Sequence, residues 1–178
     1  FRIWDVVKRR RSTVANEKVR IEPHENQLWF YLTGAFTRSF GVPIFGGEAK
    51  DLPLPKVNLR SSFSVPIAVM EQLVENGRHI ADSVRIEAKE NGVTLSVKGE
   101  ISSFTVELLP EDGTLKDYKL VSGSAVSYDL GRLQKIISAL GFSESIRISY
   151  DTDLPLHINS PMDSKGEISY FIAPKVER

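Results

Sequence analysis

A hairpin that recurs three times constrains the fold of this chain more than any other feature. Val19-Arg20-Ile21-Glu22 passes through Glu25-Asn26 into Leu28-Trp29-Phe30-Tyr31-Leu32. Val84-Arg85-Ile86-Glu87 passes through Glu90-Asn91-Gly92 into Val93-Thr94-Leu95-Ser96-Val97. Ile146-Arg147-Ile148-Ser149 passes through Asp151-Thr152-Asp153 into Leu154-Pro155-Leu156-His157-Ile158. Each copy is an alternating strand, a polar turn and a second strand, which is how an antiparallel hairpin reads. Alternation buries one face of a strand and wets the other, so the copies must stack to cover their apolar faces.

Each hairpin follows a short stretch with helical spacing. The first runs Ile3 to Arg11, with Ile3, Val6 and Val7 on one face. The second runs from about Pro66 to Asn76, with Ile67, Met70, Leu73 and Val74 on one face. The third runs from about Leu130 to Leu140, with Leu133, Ile136, Ile137 and Leu140 on one face. Pro66 is expected in a first helical turn, where a missing N–H is harmless. Gly77 and Gly141 are expected at helix ends, in left-handed conformations. Further strands are expected at Phe36 to Ile44, Phe63 to Val65, Phe104 to Leu108, Ser124 to Tyr128 and Ser169 to Ile172. The unit is therefore strand, helix, then three strands. The expected class is α+β, with antiparallel sheets and the helices on one side.

Two such units make a natural domain, and the first copy lacks its leading strand apart from a stub at Phe1 and Arg2. The chain also opens on Phe1 rather than Met, so the expectation is a chain short of half a domain before Phe1. The expected division is 1–45 for the half domain, 46–60 for a linker and 61–178 for a complete domain. The linker holds Gly46-Gly47 and then Asp51-Leu52-Pro53-Leu54-Pro55. Alternate prolines favour an extended path and forbid a central strand. Long ordered loops are usually functional, and Leu52 and Leu54 on one side exceed what a solvated linker needs.

Charge bears on partners. Lys plus Arg and Asp plus Glu number 23 each, so any affinity for a polyanion must come from how charge is distributed. The densest basic run is Lys8, Arg9, Arg10 and Arg11. Cysteine is absent, which excludes disulfides, thiol chemistry and cysteine zinc sites. No apolar run approaches the roughly 18 residues of a membrane span, so no membrane partner is expected, and an intracellular protein is the simple reading.

The pseudo-repeat with its proline-containing linker resembles the PCNA family of DNA sliding clamps. Leu52-Pro53-Leu54-Pro55 is similar to that family's interdomain connecting loop. Tyr170-Phe171-Ile172-Ala173-Pro174-Lys175-Val176-Glu177 is similar to its tail, and Asp153-Leu154-Pro155-Leu156 to the strand before it. Asp82-Ser83-Val84, Glu90-Asn91-Gly92-Val93 and Gly99-Glu100 resemble the first hairpin of the second domain. The resemblance covers the chain from Ile3 onward, and the short tail looks more archaeal than eukaryotic. It implies the DNA clamp fold: three subunits joined head to tail in a ring, helices lining the hole, sheets outside. The alternative is a truncated or divergent clamp fragment that acts as a protein-interaction module and cannot close a ring on DNA.

By resemblance, subunits meet along Phe36 to Ile44 and Ile101 to Leu109, with Phe36, Phe40, Phe104 and Val106 as interface candidates. Sheets joined edge to edge leave no exposed edge, and a heterologous contact closes when its rotation is right. Double-stranded DNA is expected against the helices, bound through phosphates without sequence preference. The candidates are Lys8, Arg9, Arg10, Arg11, Arg78, Arg132 and Lys135. Gln72 and Glu75 stand where eukaryotic relatives often carry basic residues, which weakens the second helix as a DNA surface. Partners implied are PIP-box proteins such as DNA polymerase, flap endonuclease, DNA ligase and the clamp loader. Their peptides insert an apolar plug beside the linker, where Leu52, Leu54, Pro155 and Phe171 offer walls and Ala173 and Pro174 a floor and pairing edge.

Nothing reads as an active site. His24, His79 and His157 lack metal-ligand spacing and a neighbouring nucleophile motif, and no phosphate-binding glycine loop is present. Asp151 and Asp153 flank a turn, where carboxylates cap backbone groups. No catalytic residue, metal or cofactor is expected.

Overall fold

The computed structural model describes residues 18–44, 55–162 and 166–175. The chain divides into two compact units, Phe1–Leu54 and Pro55–Arg178. The boundary falls inside the 46–60 segment. The proposed first helix, the Phe1 and Arg2 stub, and Leu52 and Leu54 lie outside the described residues.

In the first unit, β1 (Lys18–His24), β2 (Gln27–Thr33) and β3 (Thr37–Pro43) form an antiparallel meander with β2 in the middle. The β1–β2 register runs from Lys18 opposite Thr33 to His24 opposite Gln27. That leaves Glu25 and Asn26 as a two-residue turn, and Glu25 takes a left-handed φ of 40°. Such a turn matches the twist of the paired strands. Phe30 and Leu32 are the buried side chains of this sheet.

The second unit holds β4 (Ser61–Pro66), α1 (Ile67–Gly77), β5 (Ser83–Lys89), β6 (Gly92–Lys98) and β7 (Ser103–Leu108). After a short 3-10 turn at Pro110–Asp112 come β8 (Lys116–Lys119), β9 (Ala125–Asp129) and α2 (Leu130–Ala139). The last three strands are β10 (Ser145–Tyr150), β11 (Leu156–Met162) and β12 (Gly166–Ile172). One sheet has the order β7-β6-β5-β9, and the other β12-β11-β10-β4-β8.

Those orders explain why two repeats make one domain. The strand that leads into each helix pairs with the other repeat: β4 with β10, and β9 with β5. The first N–H of each helix follows the same exchange. Ile67 donates to the Glu144 carbonyl at 3.1 Å, and Leu130 to the Asp82 carbonyl at 2.9 Å. Neither repeat can therefore complete its sheet or satisfy its helix start alone.

Alternation sets what faces inward. Phe63 and Val65 on β4, Val84, Ile86 and Ala88 on β5, and Ile146 and Ile148 on β10 all enter one core. Both helices close it. Ile67, Met70, Leu73 and Val74 of α1 and Leu133 and Ile137 of α2 are buried, as their spacing requires, and Ile136 is half-buried. The helices pack side by side, α1 also against β4 and β7, and α2 against β5, β9 and β12. Asp129 caps α2 by accepting the Arg132 N–H at 2.7 Å.

Three expectations need correction. Pro66 sits at the N-cap of α1 with ψ of 137°, ending β4 rather than opening the first turn. Gly77 and Gly141 are absent from the left-handed positions, which are held by other residues. Gly77 ends α1 for a packing reason: a Cβ there would lie 2.8 Å from Val97 Cγ2 and 3.1 Å from Leu130 Cδ2. The strand β8 was also not expected. Its side chains are all exposed, so it carries no alternating signal, and it joins β4 through a register shift between Ser62 and Ser64.

Candidate functional site

Two surfaces of the second unit carry the candidate residues. The first is the exposed side of the helices. Arg132 and Lys135 are exposed on α2, one turn apart, where side chains share a face. Arg78 follows the end of α1, and its Nε donates to His79 Nε2 at 3.0 Å. The exposed residues Glu71, Gln72 and Glu75 lie on α1, which has neither Lys nor Arg within Ile67–Gly77. Lys8, Arg9, Arg10 and Arg11 lie outside the described residues.

The second surface is a cleft of about 460 Å³ whose lining includes Arg85, Ala125, Ser127, Asp153, Pro174 and Lys175. Its wall is β9 with β5 beside it, Arg85 directly opposite Ser127. Its other side is the tail. Pro174 makes an antiparallel bridge to Tyr128, and the Lys175 N–H donates to the Ser127 carbonyl at 2.7 Å. This corrects the expectation of a tail with unpaired backbone: at Lys175 it is already paired with β9. Among the described residues predicted for the peptide site, Pro174 lines this cleft and the others lie off it. Pro155 is half-buried at the entry to β11, and Phe171 on β12 stacks on His157, ring centroids 4.4 Å apart. Ala173 is exposed.

Hydrogen bonds fix the cleft from below. The Tyr128 hydroxyl donates to the Leu154 carbonyl at 2.9 Å, tying β9 to the segment that carries Pro155. Burial pushes the Tyr128 phenol above its ordinary range, so it stays a donor. Asp151, buried at the end of β10, accepts from the Thr152 N–H at 2.8 Å and pairs with Arg60 through both guanidinium Nε and Nη2. The Arg60 hydrogen bond holds the Asp151 carboxyl below the usual carboxylate range, against the opposing effect of burial. Asp151 therefore contributes stability above the unfolded carboxylate value, near 3.9, and loses it as pH falls through its lowered folded value. Asp151→Asn is expected to destabilise the second unit at neutral pH, with the difference from wild type shrinking in the acid range below about pH 4. Thermal melts of both proteins from neutral to acid pH check this; a pH-independent difference would refute the linkage.

Burial lowers the His157 imidazole from its ordinary value, opposed by Glu167, so the ring facing Phe171 is neutral near pH 7. Among the described residues, no group of three His, Cys, Asp or Glu is placed to hold a metal ion.

The interface candidates divide. Phe36 is exposed beside β3, an outer strand of its sheet. Phe40 stacks on Phe30 across the sheet at 5.1 Å. Phe104 and Val106 lie on β7, an outer strand of the four-stranded sheet, yet both pack partly against their own core. An outer strand with one face on a core sends its apolar side chains inward, so pairing along β7 would rest on backbone groups. Ile101, the first residue of the expected Ile101 to Leu109 edge, is fully exposed in the β6–β7 turn.

Comparison with known proteins fits this geometry. The family model for proliferating cell nuclear antigen, C-terminal domain, matches residues 53–175. The DNA polymerase sliding clamp of Pyrococcus abyssi is 26% identical over 153 residues, covering 86% of this chain and 61% of that protein. That of Pyrococcus furiosus is 25% identical over the same span and shares. The chain thus spans 61% of the length of these relatives. A crystal structure of PCNA from Thermococcus kodakaraensis superposes with a TM-score of 0.80 at 21% identity, covering 98% of this chain and 72% of that one. The PCNA2–PCNA3 complex of Sulfolobus tokodaii gives 0.80 at 20% identity, covering 97% and 71%. The likeness to these structures shows the clamp fold, and because the family model spans more than half its length, the chain belongs to the PCNA family.

Proposed function

We propose that this chain acts within a DNA sliding clamp: a trimeric ring around duplex DNA that docks replication and repair proteins through PIP-box peptides. The family match over residues 53–175 carries the reading. The described residues supply compatible parts. Outer strands β3 and β7 can extend a sheet into a neighbouring subunit, homo- or heterotrimeric. Paired helices present Arg132 and Lys135, and a preformed cleft lies beside the tail. The role is that of an intracellular, DNA-associated scaffold without catalysis of its own.

The charge on the helices sets the kind of DNA contact. Glu71 and Glu75 on α1 offset Arg132 and Lys135 on α2, so this surface is a weak phosphate binder and suits sliding more than gripping. The reading keeps the division 1–45, 46–60 and 61–178, with Lys8, Arg9, Arg10 and Arg11 as further DNA contacts and Leu52 and Leu54 as further peptide contacts. The test is binding of duplex DNA over a salt series, with mass by light scattering. Wild type is expected to show sequence-indifferent affinity that falls steeply with salt. Arg132→Gln with Lys135→Gln is expected to reduce the log–log slope by about 0.9 for each phosphate that is no longer neutralised. An unchanged slope would remove α2 from the DNA surface, and a monomer at all concentrations would favour an interaction module.

A further inference from the structure

We propose that the outward face of the β12-β11-β10-β4-β8 sheet is a trough for an extended acidic segment of a partner protein. This goes beyond the ring reading and rests on it only for the side on which DNA runs.

Strand register builds the trough. Ser64 on β4 has Arg147 of β10 directly across on one side and Lys116 of β8 on the other. Two residues back, Ser62 lies between Ser149 and Lys119. Directly opposed residues project to the same face of a sheet, so Lys116, Lys119 and Arg147 share one face with these serines. It is the solvent face, because the alternating Phe63, Val65, Ile146 and Ile148 are buried in the core. A regular strand turns residues three apart to opposite faces. The register shift between Ser62 and Ser64, with Asp117 at a left-handed φ of 44°, brings both lysines to the same one. Neighbouring strands lie about 4.8 Å apart, so the β8 backbone runs roughly 10 Å from that of β10, with the small serines of β4 as the floor between them.

The cations on this face are open to an anion. Arg147 Nη2 donates to Ser62 Oγ at 2.9 Å, which holds the guanidinium along the floor and leaves its other N–H groups for a carboxylate. Lys116, Lys119 and Arg147 are exposed, and among the described residues none of them is in an ion pair. Within these five strands the carboxylates are Asp117, in the bulge, and Glu167, two strands from Arg147 on β12. Glu167 already accepts from Asn159 at 3.0 Å. The fold selects which anion fits. The helices pack on the core side of the sheet, α1 against β4 and α2 against β12. Duplex DNA held against the helices is therefore across the sheet from this face, which leaves an acidic protein segment. A floor two strand spacings wide admits one extended chain, whose alternate side chains point the same way.

Amide-resolved NMR titration of the whole chain tests this with three synthetic peptides. One carries glutamates at alternate positions, one carries glutamines in their place, and one has the first peptide's composition with its glutamates adjacent. At low salt the alternating Glu peptide is expected to bind about tenfold more tightly than the Gln peptide, the sum of several exposed charge pairs. Its shifts should centre on Ser62, Ser64 and Arg147 and fade in high salt. Lys116→Gln with Lys119→Gln, both at exposed side chains, should cut the preference below about threefold. Adding Arg147→Gln should remove the rest, with melting curves showing that each variant is folded. Equal binding of the Glu and Gln peptides, or of the alternating and adjacent ones, would overturn the proposal. So would a preference that survives in the lysine variant, or shifts centred on the helices. Each of these leaves the clamp reading standing. If duplex DNA shifts Ser62, Ser64 and Arg147 rather than α2, both fall.

Discussion

Leu133→Ala is expected to lower the unfolding free energy of the second unit by about 2–5 kcal/mol, the range for a leucine removed from a close-packed core. Leu133 is fully buried on α2, within a core that also holds Met70 and Leu73 of α1 and residues of both sheets. Such an interior cannot collapse onto a small cavity without moving a helix, so the upper half of the range applies. Domains of this size are stable by only about 5–15 kcal/mol, so the loss is a large share of the total. The functional consequence follows from position. Arg132 and Lys135 flank Leu133, and the packing beneath α2 holds their face in place. Ile136→Ala, at a half-buried position, should cost clearly less. Denaturant unfolding of the three proteins measures both values. A loss under about 1 kcal/mol for Leu133→Ala would mean that the seam repacks freely.

The same two periodicities made most of this fold legible. Period-2 runs marked β5 and β10 because each has one face on a core, and helical spacing marked Met70, Leu73, Leu133 and Ile137. What alternation cannot report is partner choice. Nothing in Val84 to Glu87 says that β9 lies beside it, because pairing between repeats depends on backbone groups every strand possesses. Exposed β8 was invisible for the complementary reason: it has no buried face. Gly77 was assigned the commonest reason for a glycine at a helix end, a left-handed turn, whereas its reason is tertiary, the approach of Val97 and Leu130.

The candidate site was less legible than the fold. Pro174 was anticipated, but Arg85, Ala125, Ser127 and Asp153 were not, since each reads singly as an ordinary strand or turn residue. They line one cleft only because the tail pairs with β9 at Pro174 and Lys175. The exposed helix charges were legible as residues, because Gln72 and Glu75 break a basic pattern and burial does not alter them.

Deleting Ala173 to Arg178 is expected to weaken PIP-box peptide binding by at least about tenfold, roughly 1.4 kcal/mol, while stability changes little. The two effects separate because the tail does different things in each. For stability it supplies the Pro174 bridge to Tyr128 and the Lys175 hydrogen bond to Ser127. One such bond nets about 0.5–1.5 kcal/mol, and neither Ala173 nor Lys175 is buried. For binding it supplies one whole side of the cleft, and without Pro174 and Lys175 the β9 wall opens to solvent. A cleft open on one side grips a docked segment less firmly, and anchors at pocket centres carry most of the energy of a small interface. At Lys175 the tail's main-chain N–H is already committed to Ser127, so it is not available to pair with a peptide strand. Pro174→Ala, which keeps the main chain and shrinks the wall, should lie between wild type and the deletion. Calorimetric titration of one PIP-box peptide into the three proteins, beside their melting curves, makes the comparison. Affinity in the deletion within about twofold of wild type would place peptide docking elsewhere on the molecule.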